Sequence, residues 1–203
     1  GHARLLYAML KDFGEDPRPV EHERPAAAYA SVDVLDGPLE DWARLVAAMM
    51  VVDTALTAAL EGFAAGSYEP ARARIPKMVS EEAFHRDLAL AWFRRIAGGG
   101  SEGRERLAAA VGDLLPRTLA WLDPDDTPFR SLAEAGLVEP GRTLMHRYRE
   151  RLGGTLGLVG VEVAGTAAQR EGWDEDRGRG PGHPAEEAVE RARGDRNRAL
   201  FVE

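Results

Sequence analysis

Cysteine is absent from the sequence. That excludes disulfides, cysteine-ligated zinc, iron–sulfur clusters and a cysteine nucleophile, and it suits a reducing compartment, so a cytoplasmic location is expected. Lysine is nearly absent too: only Lys11 and Lys77 occur, and arginine carries the rest of the positive charge. The net charge of −8 argues against general nucleic-acid binding, although arginine clusters remain able to hold a phosphate locally. No stretch reads as the roughly 20 apolar residues of a membrane span, and no charged-then-apolar targeting segment opens the chain. Neither a membrane nor nucleic acid is therefore expected as a partner. Period-2 alternation, heptad runs and internal repeats are all missing, which disfavours sheets, coiled coils and solenoids.

What is present is helical. The 203 residues suffice for one domain with a sizeable core, or for one domain and a tail. Residues 1–13 carry an apolar stripe of Leu5, Leu6, Met9, Leu10 and Phe13, and Gly14 and Pro17 stop it. Residues 14–37 read as mostly loop. Pro38–Phe63 reads as a helix started by Pro38, with a core stripe of Leu45, Met49, Val52, Leu56, Leu60 and Phe63. A long helix follows to Ala97, kinked or restarted at Pro76 and ended by Gly98, Gly99 and Gly100. Further helices are expected over 102–122, broken near Pro116, over 131–135, 140–152 and 185–193. Residues 153–165 are Gly- and Val-rich and suit a loop or short extended segment. From Gln169 onward the Gly-rich, polar composition argues against a core element. The expected organisation is a helical domain over 1–165 and an irregular C-terminal extension over 166–203.

Met78, Glu82, His85, Ala89, Trp92 and Ile96 share one face of the long helix. That face is apolar except at its centre, where a carboxylate and an imidazole stand three residues apart. Glu-x-x-His is the half-site that di-iron carboxylate bundles use twice, together with one carboxylate from each of two other helices. Alone the motif is weak, and a rim glutamate beside a hydrogen-bonded core histidine has the same spacing. Asp53 lies within AAMMVVDTAL, among apolar residues, so it needs a metal, an arginine or the solvent edge of its helix. His2 lies on the first helix beside its apolar stripe. His2, Asp53, Glu82 and His85 thus form a candidate metal set, with Asp53 and Glu82 as the catalytic carboxylates. Two octahedral irons take about six protein ligands. Four are visible, and a glutamate three residues before His2 and one from a preceding helix would complete the set ahead of Gly1. A tag-removal scar is the alternative origin of Gly1-His2.

The chain resembles the bacterial phenylacetic acid catabolic family, PaaA and PaaC, and most closely its PaaA side, the catalytic subunits of ring-1,2-phenylacetyl-CoA epoxidase. Gly1-His2 followed by Leu6-Tyr7 is similar to the family's EAGHGLYLY helix. WARLVAAMMVVD, from Trp42 to Asp53, is similar to the helix that begins with Trp and reaches a liganding Asp, and SEEAFH, from Ser80 to His85, to KEESFH. The separations of 51 residues from His2 to Asp53 and 29 from Asp53 to Glu82 also fit the family. GWDEDRGRG resembles a C-terminal WNEERG segment, and Asn197-Arg198 a final Asn-Arg pair. Pro76 and the connection 14–37 depart from the pattern, so acyl-chain and coenzyme A contacts are not carried over.

The resemblance implies an all-α, ferritin-like bundle with a di-iron centre. It also implies a monooxygenase that places one oxygen atom of O₂ on the aromatic ring of phenylacetyl-CoA or a related acyl-CoA, giving an epoxide and water. The expected partners are the acyl-CoA substrate and O₂, a sister ferritin-like subunit and a reductase. The competing reading is a non-catalytic ferritin-like subunit that scaffolds a multicomponent oxygenase. A simple iron-binding ferritin relative suits the Gly-rich extension less well. Met49, Met50, Leu88, Ala89 and Trp92 would either wall the pocket or form plain core, the commoner role of such a stripe. Glu81 or Asp87 would orient the histidines or stand solvated, and Arg142, Arg147, Arg149 and Arg151 would either meet coenzyme A phosphates or form a solvated helix face. His22, His146 and His183 have no partners at ligand spacing.

Overall fold

A computed structural model describes residues 2–123 and 126–195. Seven α-helices are seen among them: α1 (His2–Ala8), α2 (Trp42–Ala65), α3 (Glu69–Gly98), α4 (Ser101–Leu122), α5 (Thr127–Glu134), α6 (Gly141–Leu156) and α7 (Glu186–Arg193). There is no strand among the described residues, and the class is the all-α, ferritin-like bundle that the sequence implies. Asn197-Arg198 lies outside the described residues.

Helix α2 is the axis of the bundle and packs along α3 and α4, with α6 closing over it. It starts later than Pro38 predicts, because the Asp41 carboxylate accepts from the Arg44 backbone N–H at 2.7 Å and sets the cap there. Its core face also differs from the expected one. Val46, Ala47, Val51, Val52, Ala55 and Ala58 are buried, whereas Leu45, Met49, Leu56, Leu60 and Phe63 are only half-buried. A helix apolar nearly all round gives no single stripe to read, and the small residues face α3 and α4 because they allow close approach. Leu56, Leu60 and Phe63 instead line an apolar groove of about 510 Å³, shared with Leu6 and Met9 of the N-terminal segment and with Trp121 of α4. By length and composition α2 is also long and apolar enough to cross a membrane, contrary to the sequence reading, and 56% of that stretch is buried within the bundle.

Neither internal proline ends its helix. α3 runs unbroken through Pro76 and α4 through Pro116. Each loses one backbone hydrogen bond, but packing holds the flanking turns: Ile75 and Met78 bury against Leu60 and Phe63, and Leu114, Leu115 and Leu119 are sealed in the main core. The Pro116 carbonyl accepts from the Gln169 backbone N–H at 2.9 Å. α5 begins earlier than expected because Asp126 caps it, and α6 extends to Leu156 through the glycines. Within 14–37, short turns form at Pro19–Glu23, Ala26–Ala28 and Asp33–Leu35.

The stretch beyond Gln169 does reach the interior, contrary to its composition. The Arg179 side chain is fully buried, paired with Asp36 and donating to Ser31 Oγ and the Gly180 carbonyl. Trp173 Nε1 donates to Asp126 at 3.2 Å, and Arg177 donates to the Ala27 carbonyl at 2.9 Å. A Gly-rich segment is held here by arginine hydrogen bonds rather than by apolar side chains, which hydrophobic patterning does not register.

Candidate metal centre

Three helices converge on one carboxylate. Glu82, at the middle of α3, is half-buried with its side chain 17% exposed. Its Oε1 lies 2.9 Å from His2 Nδ1 on α1, and its Oε2 lies 2.9 Å from His85 Nδ1, one turn along α3. Asp53, on α2, faces the same point: one ligand atom each from Asp53, Glu82 and His85 fall within 4.8 Å of one another. The antiparallel packing of α2 on α3 creates this meeting, and α1 delivers His2 to its edge.

Burial pushes the Asp53 carboxyl above its usual range and the neighbouring Glu82 carboxylate adds to the rise, while His85 opposes it. Arg86 and Arg151 line the same cleft as Asp53, but neither forms an ion pair with it among the described residues. Two converging carboxylates and two imidazoles form a hard, mixed oxygen–nitrogen donor set suited to iron, and a divalent ion there would relieve the strain on Asp53. All four sequence-predicted ligands therefore sit together, with His2 joined through Glu82 rather than within the tightest cluster.

The surroundings sort the remaining expectations. Glu81 holds the other nitrogen of His2, with Nε2 2.8 Å from Oε2, and this contact draws the Glu81 carboxyl below its usual value. Asp87 turns away to Arg86 at 3.7 Å. Met49 borders the centre, but Met50 and Ala89 are sealed in the core and Leu88 is 52% exposed. Trp92 packs edge-on against Trp42 at 5.1 Å. His22, His146 and His183 lie near Glu21, Glu150 and the Pro184 carbonyl respectively. Thr54, Thr57 and Arg151 share a narrow cleft with Asp53 and Glu82, and the sequence reading missed this. The repeat of Asp53, Thr57 and Glu61 at four-residue steps on α2 is the signal that was available for it.

A helical bundle with a carboxylate–imidazole cluster between its helices defines the ferritin-like class. The family model of the phenylacetic acid catabolic proteins matches residues 1–194, and the chain belongs to that family. No curated protein matches the chain. Membership assigns it to phenylacetate catabolism and, coarsely, to an oxidoreductase system with several components.

Proposed function

We propose that the chain is the di-iron monooxygenase subunit of this system, with His2, Asp53, Glu82 and His85 as metal ligands. The observation that carries this reading is the placement of Glu82 between His2 and His85, one oxygen towards each imidazole, with Asp53 at ligand distance. The overall reaction combines phenylacetyl-CoA, or a related acyl-CoA, with O₂, two electrons and two protons to give the ring epoxide and water. Iron held by these residues would supply the O₂ and electron chemistry. The chain's own residues hold the donors in place: Glu81 fixes the His2 ring, and the buried α2–α3 contact fixes Asp53 against Glu82.

His85 is 59% exposed at its side chain, so the centre needs a cover to exclude water. Phe84 at 77% exposure and Leu88 flank it on the same helix, forming an apolar surface suited to a sister ferritin-like subunit. A reductase would supply the electrons, and the absence of cysteine suits a cytoplasmic setting. The test is elemental analysis of protein expressed with iron and of Glu82→Ala. About two irons per chain, lost in the variant, would support the catalytic reading. No iron in either would leave a scaffold subunit.

A further inference from the structure

The arginines of α6 are divided among several partners. Arg147 pairs with Glu139 at 2.7 Å, Arg149 donates to the Ala164 and Thr166 carbonyls, and Arg142 lies exposed. Arg151 alone also lines the cleft that contains Asp53 and Glu82. Its Nη2 lies 2.9 Å from both oxygens of Glu61, which sets the plane of the guanidinium. Its Nη1 is buried with no hydrogen-bond partner among the described residues.

A buried donor of a charged group left unbonded is costly, and such atoms in folded proteins are normally satisfied by a protein group, water or ligand. The free space of the cleft is about 10 Å³, room for a single water-sized group. Its walls also include the two carboxylates, the threonines Thr54 and Thr57, and a second arginine, Arg86. A guanidinium donates and never accepts, so the group that fits against it is an acceptor oxygen.

We propose that Arg151 is an oxygen-binding residue, donating from Nη1 to one oxygen atom held in this cleft beside the metal centre. The oxygen belongs either to the carbonyl of an acyl thioester or to a water. The proposal rests on the reading of the centre given above and deepens it, because it places an acceptor oxygen next to the proposed metal ligands. Glu61 then serves to aim the guanidinium, and Arg147, 3.6 Å from Glu61, braces it.

The test is equilibrium titration of wild type, Arg151→Met and Arg151→Lys with phenylacetyl-CoA and with its carbonyl-free thioether analogue, S-(2-phenylethyl)-CoA. Lysine keeps a cation beside Glu61 should the methionine variant fail to fold. Loss of affinity for the thioester alone, by about tenfold or more, assigns the oxygen to the carbonyl. Unchanged affinities, with an ordered oxygen within about 3.2 Å of Nη1 in a wild-type crystal, assign it to water. Equal weakening of both ligands, or unchanged affinities with nothing bound at Nη1, overturns the proposal. Iron content measured on the same samples separates this outcome from failure of the metal reading, since the thioester selectivity is scored whether or not iron is present.

Discussion

Glu82 Oε1 lies 2.9 Å from His2 Nδ1, so a carboxylate in the middle of one long helix is tied to an imidazole at the start of another. Its second oxygen is engaged by His85 at the same distance. The contact joins α1 to the bundle at the candidate metal centre, which couples the placement of the N-terminal segment to the proposed chemistry.

Replacing Glu82 is therefore expected to cost more than replacing either histidine. Glu82→Ala removes the shared group and should abolish metal binding, whereas His85→Ala should weaken it by about 10–100-fold or more while leaving the helices intact. Metal titration with circular dichroism on each variant checks the order of the effects.

Asp53→Asn should stabilise the metal-free chain while destroying metal binding. The folded state raises the Asp53 carboxyl above its unfolded value, first by burial and then by Glu82. The native state therefore holds the proton more tightly, and metal-free stability falls as pH rises from the unfolded value through the raised folded one, then levels off. The asparagine variant should lack that fall and melt about 2 °C higher at neutral pH. Metal affinity of the wild type should weaken as pH drops through the same window, because the ligand form is the carboxylate. Thermal melts across pH 4 to 8 and metal binding at the same pH values read both effects.

Gly66→Ala should be disproportionately destabilising for a surface turn. A Cβ there would lie 2.1 Å from the Leu137 carbonyl oxygen, a backbone atom that cannot swing aside. The Ser67 backbone N–H donates to Gly136 at 2.8 Å, which holds the two segments together. A loss of about 1–3 kcal/mol is expected by chemical denaturation, with the slope unchanged.

Arg179→Met should cost about 3 kcal/mol or more, because it leaves Asp36 without its buried partner. If the segment were a loose tail the change would be neutral. Urea denaturation, with proteolysis of residues 166–195 as a second readout, distinguishes the two.

Much of the centre was legible in the sequence. Glu82 and His85 share a helix face by spacing alone, and a charged Asp53 inside an apolar run already demands a partner. The end of α3 was also marked, by a glycine triplet. The core face of α2 was not legible, because a helix apolar on every side fits any stripe. Pro76 and Pro116 misled for a related reason: local propensity predicts a break, and burial of Ile75, Met78 and Leu115 overrides it.

By itself the sequence determined the all-α class and marked four candidate donor residues, since these depend on residue type and short-range spacing. Only the tertiary structure decided what meets what. It set Glu82 between two histidines, chose Glu81 over Asp87 for His2, and singled out Arg151 from its neighbours. It also drew Arg179 inside through hydrogen bonds. Those outcomes depend on how helices far apart in the chain pack, and packing is decided by shape and by the pairing of buried polar atoms rather than by pattern along the chain.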